Sequence, residues 1–325
     1  MDAYVCLYEH PVYNSLLKVF RNIRGIDVRK VEDYSKKTKQ IFRTKSFHIQ
    51  KLEMELTKEN MYILPSPIMA IETWGARLKG IPAFMVEEYS KKSTVKDIAI
   101  GALLFPFRNY PFISLTKRTH RFLSNRSFTS FHVPPAETKR RGSRNRDIIL
   151  FTGKMIETKN PTFAVDLAKE LKDEHFVVVG KGPLSDMVKE KASGVGNLEI
   201  IDFVETREKL FRDYYGKAKV LIHPAFSDPI AFVIVEALST STPVLASESV
   251  GASDYLPAKW RMSDYGVKRW ADAIRNIDSE SIKEAEETFT RENLNIDSQY
   301  FNKSAESMNT FIGERGWLTK QRTAE

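Results

Sequence analysis

Two carboxylates stand eight positions apart in the stretch SDPIAFVIVEA, where Asp228 precedes Pro229 and Glu236 follows an apolar run. Asp is a favoured helix N-cap and Pro a favoured first helical residue, so the stretch predicts a helix that begins here. Amides in the first turn of a helix have no intrahelical acceptor and can bind an anion. The candidate amides are those of Ile230, Ala231 and Phe232. Glu236 is expected about two turns further on, within reach of the same ligand, although Asp228 could also act only as a cap.

A pair of lysines lies in a second segment, FTGKMIETKN, directly after a predicted strand. Gly153 lets the backbone approach a ligand closely, and Lys154 and Lys159 place two cationic groups on one loop. Two ammonium groups together with a helix N-terminus suit a diphosphate. The alternative is a solvated surface loop. The combination with the two carboxylates favours the binding site.

These segments lie within a regular alternation of strand and helix patterns. The predicted strands are IILFTG, HFVVVGKGP, NLEIIDFV, KVLIHPA and TPVLASES, and the helical segments are NPTFAVDLAKELKD, REKLFRDYYGKA and PIAFVIVEALST. Such alternation predicts an open, mainly parallel sheet with helices on both faces. Ligands bind outside the C-terminal ends of the strands in such sheets, and both Gly153 and Asp228 fall at those ends.

The first half of the chain predicts a second, smaller α/β domain. Its strand patterns are AYVCLY, IDVRKV, MYILPS and IPAFMVEE, and its helical patterns include VYNSLLKVFRNI and MAIETWGARLKG. Between the halves, PPAETKRRGSRNRD is polar, basic and without hydrophobic periodicity, which is typical of a linker. We therefore predict an α/β protein of two Rossmann-like domains facing a cleft, the N-terminal one reduced. The predicted boundaries are 1–133 for the N-terminal domain, 134–147 for the linker, 148–278 for the ligand-binding domain and 279–325 for helices packing back across the linker.

The net charge of +8 is unevenly distributed. Residues 1–146 hold 27 Lys+Arg and 13 Asp+Glu, a net charge of +14, whereas the remainder carries −6. Such asymmetry indicates that the first half faces an anionic partner, and a solvated lysine-rich surface is the alternative. The candidate partners are an acidic membrane surface, a phosphorylated acceptor and nucleic acid.

Composition excludes several classes of protein. Cys6 is the only cysteine, so neither an intrachain disulfide nor a cysteine-based metal cluster can form. No apolar run reaches the roughly 18 residues of a membrane-spanning helix, and the N-terminus MDAYVCLYEHP lacks the features of a signal peptide. We expect a cytoplasmic protein that binds a membrane, if at all, at its periphery.

The segment from Ile148 to Leu256 resembles the donor-binding domain of retaining glycosyltransferases with the two-domain GT-B fold, of the family 4 kind. The matching pieces occur in the family's order: GKMIETKN, VVVGKGP, SDPIAFVIVEA and STPVLASESVGASDYL. The resemblance implies transfer of a sugar from a nucleoside-diphosphate sugar, either a UDP-sugar or a GDP-sugar, with no cofactor. It assigns the donor sugar to Asp228, the nucleotide ribose to Glu236 and the diphosphate to Lys154 and Lys159.

The segment departs from the family pattern at several positions. Asp228 replaces the usual Glu, Lys154 the usual Arg, and Ala231 a glycine. In the N-terminal half, KGIPAFMVEEYS resembles the strand that delivers a histidine to the donor sugar, and Glu88 occupies that position. Glu88 is therefore the second catalytic candidate beside Asp228. Glu87 points to the other face of such a strand, and His10 is a further candidate.

A metal site is not expected, because the sequence contains no Asp-x-Asp motif, which holds a divalent cation in glycosyltransferases of the A-type fold. The two lysines and the helix N-terminus are expected to neutralise the leaving diphosphate instead. The resemblance implies retention, with attack on the face from which the diphosphate departs.

The acceptor side is expected in the basic half. The segment KDIAIGALLFPFRNYPFISLTKRTHRFLSNR combines apolar and aromatic residues with five cations, Arg108, Lys117, Arg118, Arg121 and Arg126. This composition favours an anionic or lipid-linked acceptor and a peripheral membrane surface over nucleic acid, and the alternative is that residues 98–112 form a core helix and strand. Two other functions remain: a nucleotide-sugar-binding protein without turnover, and a DNA-modifying glycosyltransferase.

Overall fold

The structure is a computed structural model that describes residues 2–6, 11–31, 38–43, 48–52, 57, 60–65, 83–86 and 94–317. The chain divides into two compact units. Unit 1 holds the described residues up to Pro135 together with those from Ser298 onward, and unit 2 holds Ala136–Asp297. Each unit is built on a six-stranded parallel sheet, which confirms the α/β class with two Rossmann-like domains.

The strands of the two units account for nearly all the predicted apolar runs. Unit 1 contains β1 (Asp2–Val5), β2 (Asp27–Lys30), β3 (Thr38–Arg43), β4 (His48–Leu52), β5 (Met61–Leu64), β6 (Ala83–Val86), β7 (Phe112–Ser114) and β8 (Ser130–His132). Unit 2 contains β9 (Ile148–Thr152), β10 (His175–Val179), β11 (Leu198–Ile201), β12 (Ala218–His223), β13 (Val244–Ser247) and β14 (Arg261–Met262). The sheet of unit 1 has the order β2-β1-β5-β6-β7-β8, and β3 pairs with β4 in a separate antiparallel hairpin.

The helices follow the predicted 3.6-residue periodicity. Those of the described residues are α1 (Asn14–Arg21), α2 (Thr94–Leu104), α3 (Lys117–Ser124), α4 (Thr162–Glu170), α5 (Ser185–Lys191), α6 (Arg207–Asp213), α7 (Phe232–Ser239), α8 (Val267–Arg275), α9 (Ser279–Arg291) and α10 (Tyr300–Glu314). The predicted helix MAIETWGARLKG lies outside the described residues. Within the described part of the chain, no helix has both the length and the hydropathy that crossing a bilayer requires.

The C-terminal helices are divided between the units. Helix α9 belongs to unit 2, whereas α10 belongs to unit 1. There the ring of Phe311 on α10 packs edge-on against Phe131 of β8, with centroids 5.5 Å apart. Phe20 of α1 makes a similar contact with Phe84 of β6 at 5.1 Å. Aromatic pairs of this geometry bury large apolar areas, so α10 completes the core of the unit that begins at the N-terminus.

The sheet of unit 2 has the order β11-β10-β9-β12-β13-β14, with every neighbouring pair parallel. In chain order this is 3-2-1-4-5-6, the arrangement of dinucleotide-binding domains. The strand order reverses between β9 and β12, so the connections on the two sides of this point run toward opposite edges of the sheet. Ligands bind at this switch point in open α/β sheets.

The predicted linker is an ordered part of unit 2 from Ala136 onward. Arg146 donates to the carbonyl oxygens of Ala218 and Thr240, at 3.1 and 2.6 Å, and to the hydroxyl of Thr242 at 2.7 Å. Burial lowers the pKa of Arg146 to about 10, so its guanidinium stays charged at neutral pH. The polar and basic composition that resembles a flexible linker thus serves hydrogen bonding to the carbonyl groups of unit 2.

Candidate functional site

Asp228 lies in the loop after β12 and contacts groups from three directions. Its Oδ2 atom accepts from the ammonium of Lys159 and from Nε2 of His223 at 3.0 Å. Its Oδ1 atom accepts from the backbone amide of Ala231 at 3.0 Å. The side chain of Asp228 is 12% exposed and that of Lys159 is 19% exposed. The structure therefore brings a lysine of the first candidate loop together with a carboxylate of the second.

Backbone hydrogen bonds hold the two loops against each other. The carbonyl oxygen of Thr158 accepts from the amides of Phe226 at 2.8 Å and Ser227 at 3.3 Å. Asn160 follows in the left-handed conformation with φ 51°, which turns the chain into α4. Lys159 is thereby fixed beside the loop of Asp228, although 69 positions separate the two residues in sequence.

The charge of Asp228 is set by its partners. Burial raises the pKa of this carboxyl, but the hydrogen bond and charge of His223 and the charge of Lys159 outweigh burial and hold the pKa well below its usual range. Asp228 is therefore ionised at neutral pH. A carboxylate that is buried, ionised and beside a lysine can orient sugar hydroxyls and respond to positive charge developing nearby.

The helix after Asp228 begins later than the sequence analysis predicts. Helix α7 starts at Phe232, and its N-cap residue, Ala231, has a left-handed backbone with φ 55°. The backbone amide of Ala231 donates a hydrogen bond to Asp228. The prediction that this amide is one of three donors for a bound anion is therefore corrected. Pro229 precedes the helix by three residues, so Asp228 does not cap α7, and Glu236 lies about one turn into the helix.

The loop after β9 carries the other predicted residues. Gly153 has φ 150°, and Gly180 after β10 has φ 151°. A Cβ atom on Gly180 would lie 1.9 Å from the carbonyl oxygen of Gly153, so only glycine permits the two turns to pack. Lys154 is exposed, and its ammonium has no hydrogen-bond or ion-pair partner within the described residues. One of the two predicted lysines is therefore available, and the other is paired.

Glu236 is buried on α7 with 7% exposure, and both of its oxygens have protein partners. Oε2 accepts from the hydroxyl of Tyr215 at 2.6 Å, and Oε1 pairs with the guanidinium of Arg207 at 2.8 Å. The Tyr215 oxygen also lies 2.8 Å from that of Thr152 at the end of β9. Burial raises the pKa of Glu236 against the opposing charge of Arg207. An ionised carboxylate has about four acceptor positions, so two remain for ligand hydroxyls.

Sequence reasoning gave no role to His223, Tyr215, Arg207 or Glu137. His223 ends β12 with 1% exposure and binds Asp228. Its Nδ1 atom is buried without a hydrogen-bond partner within the described residues. Of these four, only His223 could have been predicted from a local pattern, because it lies five positions before Asp228. The other three come close to the site because of the order of the strands in the sheet, which no local sequence pattern contains.

The remaining predicted residues fall outside this site. Glu88, Glu87 and His10 lie outside the described residues. In the described part of the chain, no group of three or more His, Cys, Asp or Glu side chains is placed to hold a metal ion.

The basic segment of unit 1 combines an apolar surface with cations. Helix α2 and the turn after it expose Ile98 by 65%, Leu103 by 41% and Phe105 by 57%. The guanidinium of Arg108 stacks 4.4 Å from the ring centroid of Phe105, and Arg126 lies beside α2, where a Cβ on Gly101 would be 3.2 Å from its side chain. The predicted core role of residues 98–112 holds only in part, since Leu104, Phe107 and Phe112 are buried.

Residues 146–278 match the family model described as Glycosyl transferases group 1. A D-inositol 3-phosphate glycosyltransferase of Mycobacteroides abscessus is 27% identical over 145 residues, which cover 41% of this chain and 32% of that protein. The chain thus matches about a third of the length of this curated relative.

Solved structures resemble the chain over more of its length. TarM of S. aureus, in complex with fondaparinux, alpha-GlcNAc-glycerol and UDP, has a TM-score of 0.61 and 14% identity, covering 78% of this chain and 56% of TarM. HepE of Anabaena, in complex with UDP and glucose, has a TM-score of 0.64 and 10% identity, covering 95% of this chain and 99% of HepE. At these identities the likeness shows the fold, which is that of two-domain GT-B proteins.

Proposed function

Because residues 146–278 match the model of the family Glycosyl transferases group 1, we propose that this protein is a glycosyltransferase using a nucleoside-diphosphate sugar. The observation that carries the proposal is the cluster of Lys159, Asp228 and His223 at the carboxyl ends of β9 and β12, where the strand order reverses. This is the position at which nucleotides bind in sheets of this strand order. The relative TarM, in complex with UDP, and HepE, in complex with UDP and glucose, make a UDP-sugar the first donor to test, with a GDP-sugar second.

The donor fits the described residues from diphosphate to ribose. Lys154 supplies a free ammonium, and Lys159 retains two of its three N–H donors beyond the one given to Asp228. Glu236 accepts ribose hydroxyls at its remaining acceptor positions. Asp228 orients the hydroxyls of the transferred sugar and, being ionised, favours positive charge on the ring as the bond to the diphosphate breaks.

We propose the retaining reaction that the resemblance to family 4 glycosyltransferases implies. The bond between the anomeric carbon and the diphosphate oxygen breaks, and the acceptor oxygen forms a new bond to that carbon on the same face. The anomeric configuration is retained because the new bond forms on the face that the diphosphate leaves, and the departing diphosphate oxygen takes the acceptor proton. The two lysines stabilise the charge on the diphosphate without a metal ion. Glu88 is the second catalytic candidate, in the place where the family has a histidine.

An anionic acceptor at or near a membrane surface fits unit 1. Exposed apolar side chains on α2 lie beside Arg108 and Arg126, and such combinations bind the interface of acidic membranes. The name of the relative from Mycobacteroides abscessus includes a phosphorylated compound, D-inositol 3-phosphate. A soluble phosphorylated acceptor is therefore the alternative. A cytoplasmic protein that binds the membrane peripherally is the location this acceptor implies.

A panel of UDP-sugars and GDP-sugars tests the proposed activity. Each donor is added to the full chain, and the melting temperature and the released nucleoside diphosphate are measured. A donor that binds only the native state raises the melting temperature by mass action, and turnover releases the diphosphate. Stabilisation without release over long incubation with phosphorylated and lipid acceptors supports a binding protein instead, and release only with duplex DNA supports a DNA-modifying enzyme. No stabilisation by any donor rejects the proposal.

A further inference from the structure

Arg207, the first residue of α6, binds two buried carboxylates at once. Its guanidinium donates to Oε1 of Glu236 at 2.8 Å and to Oε2 of Glu137. Glu137 is 8% exposed and Glu236 is 7% exposed, whereas the side chain of Arg207 is 38% exposed. A carboxylate removed from water needs a partner, since an unpaired buried charge is strongly unfavourable, and Arg207 is the cation that contacts both.

Glu137 is held rigidly by its own neighbours. Its Oε1 atom accepts from the guanidinium of Arg140 and from the amide of Thr138, both at 2.9 Å. Its backbone donates to Leu294 at 2.9 Å and accepts from Ile296 at 3.0 Å. These contacts fix the carboxylate of Glu137 on one side of Arg207.

The ring of Phe211 lies against the guanidinium groups of both Arg140 and Arg207. The guanidinium of Arg140 lies 3.9 Å from its centroid, and that of Arg207 lies 5.1 Å away. A guanidinium is attracted to the face of an aromatic ring and stacks on it. Arg207 is therefore held in the geometry that reaches Glu236, although it lies at the surface.

We propose that Arg207 is a positioning residue that keeps the carboxylate of Glu236 ionised and oriented for the donor ribose, and that Glu137 anchors Arg207 in that role. The proposal rests on the proposed function, in which Glu236 binds the ribose. A hydroxyl binds an ionised carboxylate about twice as strongly as a neutral acceptor. A network that sets the charge of Glu236 therefore sets donor affinity and its dependence on pH.

The charged and titratable groups that face Glu236 are Arg207 on α6, Tyr215 before β12 and Glu137 in the segment before β9. Burial already raises the pKa of Glu236, the negative charge of Glu137 raises it further, and Arg207 opposes both. Donor affinity is complete above the pKa of Glu236 and is lost as the pH falls through it. Removing Arg207 must move that loss to higher pH.

Calorimetric titration of UDP and GDP across the pH range tests the proposal with four variants of the full chain. In Arg207→Met the midpoint of the affinity loss shifts to higher pH, and affinity at a fixed pH below that midpoint falls by about tenfold for each pH unit of the shift. In Arg207→Met/Glu137→Gln the midpoint moves back toward wild type, because the negative charge of Glu137, which raises the pKa of Glu236, is gone. This double variant also leaves one buried carboxylate fewer should the single variant fold poorly.

Two further variants make the outcome decisive. Arg212→Met, on the same helix and paired with Asp213 at the surface, keeps wild-type affinity and midpoint. Glu236→Gln loses affinity and the pH-dependent step together. An unshifted midpoint in Arg207→Met, or no recovery in the double variant, overturns the positioning role. Wild-type binding in Glu236→Gln instead overturns the ribose assignment of the proposed function.

Discussion

At the residue scale, Lys154 and Lys159 differ in what their ammonium groups already contact. Lys154 is exposed and without a partner within the described residues, whereas Lys159 pairs with Asp228. We expect Lys154→Ala to weaken nucleoside-diphosphate binding by about 1–3 kcal/mol, the range for a lost charge-assisted hydrogen bond, at an unchanged melting temperature. Lys159→Ala should weaken binding similarly and also lower the melting temperature, because Asp228 loses a cation.

Calorimetry and thermal unfolding measure these two effects separately. Lys172→Ala is the matched control, since this lysine is exposed on unit 2 away from the two loops. Wild-type affinity in both Lys154→Ala and Lys159→Ala would show that the diphosphate does not bind at this loop.

The two carboxylates should affect different kinetic parameters. Glu236 is assigned to the ribose, which does not react, so Glu236→Gln should chiefly raise the donor KM. Asp228 is assigned to the sugar that becomes positively charged, so Asp228→Asn should chiefly lower kcat. Steady-state kinetics with the active donor of the panel separates the two. Equal loss in both parameters for both variants, with lowered melting temperatures, would indicate that the carboxylates are only structural.

Asp228 also makes stability depend on pH. Its pKa is lower in the folded protein than in the unfolded chain, so its contribution is present above the unfolded pKa and is lost as the pH falls through the folded value. At neutral pH, Asp228→Asn should cost about 1.5–3 kcal/mol of stability, the range for hydrogen bonds to charged groups. The difference from wild type should shrink in acid. Denaturant unfolding at a series of pH values measures it, and a difference independent of pH contradicts the ion pair.

Residue types alone identified the acids and lysines of this site but not their partners. Asp228, Glu236, Lys154 and Lys159 stand in short patterns with a chemical meaning. Tyr215 and Arg207 stand in no such pattern. They contact Glu236 because the start of α6 and the turn before β12 lie beside α7. Pairing across 21 or more positions depends on the order of strands, which local periodicity does not contain.

At the scale of elements, the start of α7 is strained. Ala231 holds φ 55°, a conformation that costs a residue with a Cβ roughly 1–2 kcal/mol and costs glycine little. We expect Ala231→Gly to raise the free energy of unfolding by up to about 1 kcal/mol. This net gain is the relief of the left-handed strain minus the cost of glycine's greater backbone freedom in the unfolded chain. Thermal unfolding without ligand measures the gain.

Ala273→Gly provides the matched control within helix α8. There the substitution meets ordinary helical geometry and should lower stability by about 1 kcal/mol. A loss of stability in both variants would show that the left-handed turn at Ala231 carries no strain.

The elements themselves were largely predictable, and their ends were not. Strands such as β9 and β10 are apolar runs ended by glycine, and that pattern suffices to find them. The Asp-Pro pair predicted a helix start at Pro229, but the chain first makes a loop through Ala231 so that Asp228 can reach Lys159 and His223. Tertiary contacts overrode the local capping preference.

At the scale of the whole molecule, the first 146 residues carry a net charge of +14, of which residues 136–146 in unit 2 contribute +4 and residues 1–135 contribute +10. If unit 1 docks on an acidic surface, vesicles containing acidic lipid should bind the protein more strongly than neutral vesicles. Binding should weaken with salt, because the attraction acts within a Debye length of about 8 Å. Replacing Arg118, Arg121 and Arg126 by Gln should cost roughly 1 kcal/mol per charge near the surface. Vesicle sedimentation measures both effects.

The matched control replaces three exposed lysines of unit 2, Lys169, Lys172 and Lys268, by Gln. This variant keeps the same change in net charge and should retain vesicle binding. Equal binding to neutral and acidic vesicles would contradict the membrane surface and leave a soluble phosphorylated acceptor or nucleic acid.

The central claim is that a nucleoside diphosphate binds at the carboxyl ends of β9 and β12 in unit 2, where the strand order reverses. Hydrogen exchange of the full chain with and without UDP or GDP tests it most directly, because amides covered or ordered by the ligand exchange more slowly. We predict slowed exchange in residues 153–159 and 224–232, with little change at the opposite edge of the sheet around residues 193–197. Protection confined to other segments, or none at saturating concentrations of either nucleotide, would contradict the account.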